Sequence, residues 1–345
     1  MKNLVSIILI ILFTCSFSFS QWTLQGTVTG LGLYPSISVY SPTGVVIAGG
    51  LQSTPTAKVY KSTNNGINWT DISGDLIQRR LYALWALNEN IIFVGNAGAS
   101  GNGGDAQLFK TTNGGINWTL VLSTGGTMGY FNDIVFSRTN PLIGIAQSDP
   151  PTSGGNHFLA KTTDGGVNWI VQNTISTSSA AITHSAICID NLFYGWGIAG
   201  AYGTKSYLMT TNGGTNWFTK AVNLPGNDFY VSGFAFSSDK STGIASSSTT
   251  LPNISRSTDG GNNWVTINTG LPISGESKMK WVYNTNCCYL VSDSGSSGCV
   301  GKSTNGGLNW ILMNTAGVIR LNHIDVINVG GIAYVYAISK NGSVI

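Results

Sequence analysis

The stretch Thr162-Thr163-Asp164-Gly165-Gly166-Val167-Asn168-Trp169 decides the fold, because it is one of six related octapeptides in this chain. Every copy has Ser or Thr first, Asn or Asp third, Gly fifth, Asn seventh and Trp last. The copies occupy residues 62–69, 111–118, 162–169, 210–217, 257–264 and 303–310. Their tryptophans follow one another at intervals of 49, 51, 48, 47 and 46 residues. A period of this size predicts one supersecondary unit per copy, repeated along the chain.

Each octapeptide has the composition of a tight turn between two β-strands. Asn or Asp before glycine is a strong hairpin signal, because glycine accepts a positive φ angle and the Asx side chain bonds nearby backbone amides. The Ser or Thr hydroxyl offers the turn a further partner, and the tryptophan anchors the next strand by burying a large surface. We therefore expect a structural role for the six Asx–Trp pairs. They are Asn64 and Trp69, Asn113 and Trp118, Asp164 and Trp169, Asn212 and Trp217, Asp259 and Trp264, and Asn305 and Trp310.

The pattern S/T-x-D/N-x-G-x-x-W resembles the Asp-box, or BNR repeat, of β-propellers. In that superfamily, which includes sortilin and the sialidases, the motif links the third and fourth strands of a blade, away from the active face. Four of the six copies here have Asn where the family prefers Asp. The form at 162–169 is most similar to the propellers of the photosystem II stability/assembly-factor type, including their exported bacterial versions. The resemblance implies a propeller and a protein-binding function.

The segments between the octapeptides predict three further strands in each blade. In the third blade we expect an inner strand at 131–137, a second at 142–147, a third at 157–162 and an outer strand at 168–173. The inner strands of the other blades are predicted at 36–41, 81–87, 184–190, 231–237, 279–285 and 321–327.

The two ends of the chain predict one more blade. Gln21-Trp22-Thr23-Leu24 resembles the sequence at 117–120, and Trp22 lies 47 residues before Trp69, so we expect an outer strand there. Strands predicted at 321–327, 332–338 and 343–345 lack a fourth partner, and joining the two ends would remove an open sheet edge. We therefore predict an all-β, seven-bladed propeller of four-stranded antiparallel blades, in one domain over 21–345, with the N-terminal strand closing the last blade. A chain truncated at Ile345, with a further repeat or a sorting tail beyond it, is the alternative.

The N-terminus and the composition suggest where the protein works. Lys2, an apolar run over 4–13 and Ser18-Phe19-Ser20 predict a signal peptide over 1–20, cleaved near Ser20. A secreted, periplasmic or cell-surface protein follows, with a lipid anchor at Cys15 as the alternative. No other segment predicts a membrane span. Charged residues make up 9% of the chain and the net charge is +3, with scattered lysines, so we expect no nucleic-acid partner. We expect a monomer.

The cysteines allow two interpretations, buried thiols or a disulfide, and they do not predict a metal site. After the signal peptide the chain has Cys188, Cys287, Cys288 and Cys299, which are either buried thiols or partly paired in a disulfide. There is no Cys-x-x-Cys pair and there are three histidines, so we predict neither a structural metal nor a cofactor.

In the predicted topology one face of the propeller carries the long connections, at 96–106, 148–156, 175–180, 223–228 and 269–278. Binding loops concentrate on long connections over a rigid scaffold, so this long-loop face is the candidate site for a protein or glycan partner. Near it, at or around the starts of inner strands, we predict ten candidate binding residues. They are Arg79, Arg80, Trp85, Tyr130, His184, Tyr230, Lys280, Trp281, Arg320 and His323.

Catalysis is the less favoured function. The sialidase-type site that the resemblance implies begins with Arg-Ile-Pro, and this sequence has no such tripeptide. A xyloglucanase-type glycoside hydrolase needs two carboxylates across a cleft, for which Asp133 and Asp228 are the candidates. We therefore expect a non-catalytic binding scaffold, with a glycoside hydrolase on the same scaffold as the main alternative and a purely structural surface module as a third.

Overall fold

The computed structural model describes most of the chain after the predicted signal peptide. The described residues are 22–29, 31, 35–41, 44–50, 58–76, 80–97, 105–126, 129–149, 158–172, 187–189, 192–199, 205–213, 216–223, 231–247, 253–273, 277–293, 298–315 and 317–345, with backbone alone at 187–189, 192–199, 205–206, 231–232 and 247. Within these residues the chain forms seven four-stranded antiparallel sheets and no helix.

Six blades follow the order of the chain, and each has its first strand innermost. Blade 1 has β2 (Ser36–Val39), β3 (Val46–Gly50), β4 (Lys58–Ser62) and β5 (Thr70–Asp71), and blade 2 has β6 (Leu81–Ala86), β7 (Ile92–Asn96), β8 (Gln107–Thr111) and β9 (Thr119–Ser123). Blade 3 has β10 (Phe131–Phe136), β11 (Gly144–Ser148), β12 (Phe158–Thr162) and β13 (Ile170–Val171), and blade 4 has β14 (Ile187–Ile189), β15 (Leu192–Ala199), β16 (Lys205–Met209) and β17 (Phe218–Ala221). Blade 5 has β18 (Val231–Phe236), β19 (Gly243–Ser247), β20 (Asn253–Ser257) and β21 (Val265–Asn268), and blade 6 has β22 (Ser277–Trp281), β23 (Cys288–Asp293), β24 (Gly298–Ser303) and β25 (Ile311–Met313).

Blade 7 joins the two ends of the chain, as the sequence predicts. Its strands are β26 (Leu321–Val329), β27 (Ile332–Ser339), β28 (Ser343–Val344) and, as the outer strand, β1 (Gly26–Thr27). β1 pairs with β28 in antiparallel register, with Gly26 opposite Val344. The paired strand begins later than the predicted 21–24. Trp22 lies ahead of it, where its ring packs edge-on against Tyr289 of blade 6 at 6.3 Å between centroids.

The first residue of each octapeptide organises the turn through a buried hydroxyl. Thr111 is 1% exposed; its Oγ1 donates to Asn113 Oδ1 at 3.0 Å and accepts the backbone amide of Gly115 at 2.9 Å. Asn113 Oδ1 in turn accepts the amide of Asn117 at 3.0 Å. The turn leaves these amides without a partner in a neighbouring strand. Because the two side chains accept from them, the hydrogen bonds of these amides are formed within the turn itself. The hydroxyl-to-Asx bond recurs in the other five copies, at Ser62, Thr162, Thr210, Ser257 and Ser303.

The glycines of the octapeptides meet two demands. The first is backbone conformation: Gly165 and Gly166 have φ angles of 71° and 73°, and Asn65, which stands at the first glycine position of the first copy, has 60°. The second demand is close packing on the preceding blade. A Cβ atom on Gly166 would lie 2.5 Å from the Phe93 ring of β7, and one on Gly307 would lie 2.5 Å from Ile244 of β19. The fifth position of the octapeptide therefore sets how closely neighbouring blades approach.

A cation just before the octapeptide ties neighbouring blades together. Lys110 Nζ donates to the carbonyl oxygen of Gly165 in the next blade at 3.0 Å, and Arg256 Nε donates to that of Gly306 at 2.6 Å. Lys161 makes the same kind of bond to Gly213 O. Each of these cations reaches a carbonyl in the turn of the blade that follows, so the bonds link successive octapeptides around the ring.

The inner strand of blade 6 differs from the prediction of 279–285. β22 ends at Trp281, because the chain turns directly afterwards: the amide of Val282 donates to Cys287 O at 2.9 Å and Asn284 has a φ of 57°. Trp281 closes the same turn by donating from Nε1 to Thr285 O at 2.7 Å.

Three of the four cysteines are buried. Cys287, Cys288 and Cys299 are at most 3% exposed and form no disulfide with one another, which favours the interpretation as buried thiols for these three. Burial raises the pKa of the Cys299 thiol to about 12. The side chain of Cys188 lies outside the described part of the chain.

Alanine substitutions at the two glycines of one turn separate conformational strain from blade packing. Gly165→Ala should lower the free energy of unfolding by roughly 1–2 kcal/mol, the cost of a left-handed conformation. Gly166→Ala should cost about 1–3 kcal/mol more, since its Cβ also overlaps Phe93 whereas that of Gly165 has Leu142 at 3.6 Å. Urea titration of both variants measures the difference, and equal losses would refute the packing role of Gly166.

Candidate functional site

The blades give the propeller two unlike faces. Inner strands run from the long-loop face towards a turn face, which carries the first-to-second-strand turns and the octapeptides. Much of the predicted long-loop face, at 98–104, 150–157, 173–186, 224–230 and 274–276, lies outside the described residues. The candidate binding residues Arg79, His184 and Tyr230, and the candidate carboxylate Asp228, lie there too.

Arg80 and two tyrosines form the described part of the long-loop face at blades 2 and 3. Arg80 is exposed and directly precedes β6. The rings of Tyr82 and Tyr130 pack edge-to-face, 5.9 Å between centroids. Tyr130 is fixed by its backbone, which forms an isolated β-bridge with Ala97 and accepts the amide of Asp149 at 3.0 Å. Burial raises the pKa of Tyr130, and Asp149 adds to this rise while Arg80 opposes it.

Arg320 lies on the same face between blades 6 and 7. Its Nε is 3.5 Å from Asp293 Oδ1, and Lys340 Nζ is 2.6 Å from the other carboxylate oxygen of Asp293. Arg320 has a φ of 58°, a conformation that a non-glycine residue adopts only where the surroundings hold it. This predicted site residue is therefore part of an ion-pair cluster at the blade junction.

Trp85, Lys280 and Trp281 lie near the ends of their strands, whereas the sequence predicted them at or around the starts. Trp85 and Lys280 are each the last residue but one of an inner strand, and Trp281 is the last residue of β22. The ends of inner strands lie at the turn face, so the prediction that these three residues lie near the long-loop face is wrong. His323, the third residue of β26, lines the central channel between the two faces.

An ion pair between a partly exposed arginine and a buried aspartate crosses the channel. Arg138, which follows β10 in the turn of blade 3, contacts both carboxylate oxygens of Asp325 in blade 7 through Nη2, at 2.8 and 2.9 Å. Its Nη1 donates to Val39 O at 3.1 Å, and the amide of Val39 donates to Asp325 Oδ2 at 2.9 Å. One guanidinium thus joins blades 3, 1 and 7.

The pKa of Asp325 reflects two opposing influences. Burial, with 2% of the residue exposed, raises it, but the charges of Arg138 and Lys280 and the amide of Val39 together outweigh burial and hold the pKa below its usual value. Asp325 is therefore an ionised carboxylate whose oxygens bond groups of blades 3 and 1.

Aromatic and cationic groups surround this pair. The Arg138 guanidinium lies 4.3 Å from the centroid of the Trp85 ring, and Lys280 Nζ lies 5.9 Å from the same ring. On the other side, His323 Nδ1 accepts the amide of Ile37 at 3.4 Å, so a neutral His323 carries its proton on Nε2. These groups line a cavity of about 230 Å³ in the channel. The cavity extends along the channel from Lys278 and His323, in the first halves of their strands, to Arg138 and Tyr283, which follow inner strands.

Arg138 and Asp325 are absent from the predicted site residues. The sequence carries one signal for Asp325, since an acidic residue in the inner strand His323-Ile324-Asp325 is unusual in a chain with 9% charged residues. The two-residue period of a strand also places it on the same face as His323, which was predicted. Nothing local marks Arg138, because its partner is 187 residues away along the chain.

Two further properties concern the described residues alone. No group of three or more His, Cys, Asp or Glu side chains among them is arranged to hold a metal ion. Within the same residues no helix is long and apolar enough to cross a membrane.

No family model and no curated protein matches this sequence. Solved structures resemble it in fold. YCF48 bound to D1 peptide is 14% identical with a TM-score of 0.61, over 92% of this chain and 94% of that one. An ancestral GH74 enzyme is 20% identical with a TM-score of 0.65, over 93% of this chain. An α-L-arabinanase from Penicillium chrysogenum, complexed with arabinobiose, is 13% identical with a TM-score of 0.52, over 94% of this chain and 98% of that one.

These likenesses agree with the seven sheets in showing a β-propeller. The chain spans 46% of the GH74 enzyme, about half its length, and all three identities are low enough that they bear on the fold alone. The class of protein is therefore an all-β, seven-bladed propeller.

Replacing Arg138 should lower the free energy of unfolding, and the size of the loss should depend on pH. Arg138→Met leaves Asp325 buried without its main partner, so the free energy of unfolding at neutral pH should fall by about 3–5 kcal/mol. Without the charge of Arg138, burial opposes only Lys280 and the Val39 amide, so the folded-state pKa of Asp325 should be higher than in the unaltered protein. The loss should accordingly shrink as the pH falls towards about 4, where protonation removes the buried charge. Urea titrations from neutral to acidic pH measure this.

Arg320→Met is the matched control. Its guanidinium is about half exposed and pairs with Asp293 at 3.5 Å, so the loss should stay below about 1 kcal/mol. Equal losses in the two variants, or a deficit of Arg138→Met that grows in acid, would contradict the role given to the channel pair.

Proposed function

We propose that this chain is an exported, non-catalytic propeller that binds a protein or glycan partner through its long-loop face. The observation that carries the proposal is the exposed Arg80 beside the packed pair of Tyr82 and Tyr130. Arginine and tyrosine are enriched at protein interfaces and among the residues that dominate binding energy. Export rests on the predicted signal peptide over 1–20, and the mass of the secreted mature protein tests it.

The rigidity of this patch supports a binding role. The backbone of Tyr130 is bonded to blade 2 through Ala97 and, within its own blade, to Ser148 Oγ, which accepts the Tyr130 amide at 2.9 Å. A surface that is already ordered loses little conformational entropy when a partner docks. The likeness to YCF48, whose solved structure holds a D1 peptide, adds support for a protein partner.

A glycoside hydrolase is the second candidate, because a GH74 enzyme and an arabinanase have the same fold and Asp133 lines the channel together with Asp325. Hydrolysis needs one carboxyl group to act as an acid and another to act as a base or nucleophile. Asp325 is poorly suited to either role, since Arg138 and the Val39 amide occupy its oxygens. This engagement favours binding over turnover.

Charge reversal on the long-loop face tests the proposal. Peptide and glycan arrays probed with the purified protein identify the ligands, whose affinity is then measured for Arg80→Glu. We expect affinity to fall about tenfold or more, as for a central interface residue. Lys240→Glu, in the first turn of blade 5 on the turn face, is the matched control and should change affinity less than about twofold.

Two results would count against this function. One is array ligands that bind Arg80→Glu as tightly as the unaltered protein. The other is turnover of chromogenic glycosides that Asp133→Asn abolishes, which would favour the hydrolase.

A further inference from the structure

The octapeptides at 111–118 and 303–310 have an asparagine directly before a glycine, as Asn113-Gly114 and Asn305-Gly306. Such a pair is thermolabile, because glycine has no side chain to keep its backbone nitrogen away from the asparagine side chain. The nitrogen gives up its proton and bonds the side-chain carbon Cγ, ammonia leaves, and water opens the resulting cyclic imide to aspartate or isoaspartate. Two groups therefore control the reaction, the glycine nitrogen and the asparagine carboxamide.

The glycine nitrogen is engaged at both sites. The amide of Gly114 donates to Asn90 O at 3.1 Å, and the amide of Gly306 donates to Asn286 O at 2.8 Å. Both acceptors lie in the first-to-second-strand turn of the same blade. Because the nitrogen attacks only after it loses its proton, a hydrogen bond from that proton to a carbonyl oxygen makes the nitrogen unreactive.

The asparagine carboxamide is also held in place. Asn113 Oδ1 accepts Thr111 Oγ1 and the amide of Asn117, each at 3.0 Å. The same two bonds hold Asn305 in its own copy. The bond to the hydroxyl is fixed by burial, since Thr111 is 1% exposed. While the turn is closed, Cγ cannot swing towards the nitrogen of the following glycine.

We infer that Asn113 and Asn305 are latent modification sites, which the closed turn keeps as asparagine and which deamidate when the turn opens. Deamidation at each site then records the opening of one turn in one blade, blade 2 for Asn113 and blade 6 for Asn305. The reaction consumes water alone and needs no partner at the long-loop face.

The octapeptide accepts one of the two products. Asp164 occupies the equivalent position in blade 3, where its Oδ1 accepts Thr162 Oγ1 at 2.8 Å and the amide of Asn168 at 2.9 Å. Its Oδ2 also accepts Asn168 Nδ2 at 2.8 Å, a bond that the NH₂ group of an asparagine cannot accept. Aspartate at position 113 therefore keeps the turn, whereas isoaspartate lengthens the backbone by one carbon and displaces its hydrogen bonds. The melting temperature of Asn113→Asp should be no lower than that of the unaltered protein, and a lower one would contradict this fit.

Peptide mapping by mass spectrometry tests the protection of both sites. The purified protein is incubated at mildly alkaline pH, either folded or unfolded in urea, and the tryptic peptides 111–138 and 303–320 report Asn113 and Asn305. We expect both asparagines to deamidate at least about tenfold more slowly in the folded protein, because the reaction waits for the turn to open. Equal rates in the two conditions would overturn the inference, and this comparison needs no variant.

Two variants of Thr111 test whether the turn itself gives the protection. Thr111→Val removes the hydroxyl that holds Asn113, so deamidation there should become about fivefold or more faster. Thr111→Ser keeps the hydroxyl, as Ser303 does at the other site, and should stay within about twofold of the unaltered protein. Asn305 is the internal control, whose rate should not change in either variant. Equal rates at Asn113 in the two variants, or an equal acceleration at Asn305, would contradict local protection by the turn.

Discussion

The buried hydroxyl at the start of each octapeptide is the interaction on which the architecture depends. In the copy at 162–169, Thr162 Oγ1 donates to Asp164 Oδ1 at 2.8 Å and accepts the amide of Gly166 at 2.9 Å. This bond holds the turn in the left-handed backbone that the glycines permit, and it brings the second glycine against the preceding blade. One turn therefore joins the third and fourth strands of a blade and also sets the distance of that blade from the preceding one. Repetition of this turn around a ring produces a propeller.

Closure of the ring forms the central channel and the two faces of the propeller. Blade 7 is complete because β1 pairs with β28, and the channel inside the ring is crossed by Arg138, which joins blade 3 to Val39 and Asp325. The long-loop face has the ordered patch of Arg80, Tyr82 and Tyr130, and the turn face carries the octapeptides. Binding at the long-loop face would draw on a scaffold whose order is already established by the octapeptides.

The sequence predicts the fold well because the octapeptide is local and repeated. Its hydroxyl, Asx and glycine roles follow from turn chemistry, and the pairing of the chain ends follows from the similarity of Trp22 to the other tryptophans. Contacts between distant residues are harder to predict. Lys280 was assigned to the wrong end of its strand because the tight turn after Trp281, with Asn284 at positive φ, shortens β22. Arg138 and Asp325 are 187 residues apart along the chain, and no local pattern encodes a contact between them.

The most direct test of this account is the stability of two variants at one octapeptide hydroxyl. Thr162→Ser keeps the hydroxyl, as Ser62 does in the first copy, and Thr162→Val keeps the shape without it. The free energy of unfolding, measured by urea titration, should fall by at most about 1 kcal/mol for the serine variant. For the valine variant it should fall by about 1–3 kcal/mol more, because the buried amide of Gly166 loses its acceptor. A valine variant as stable as the serine variant would contradict the central role of this hydroxyl.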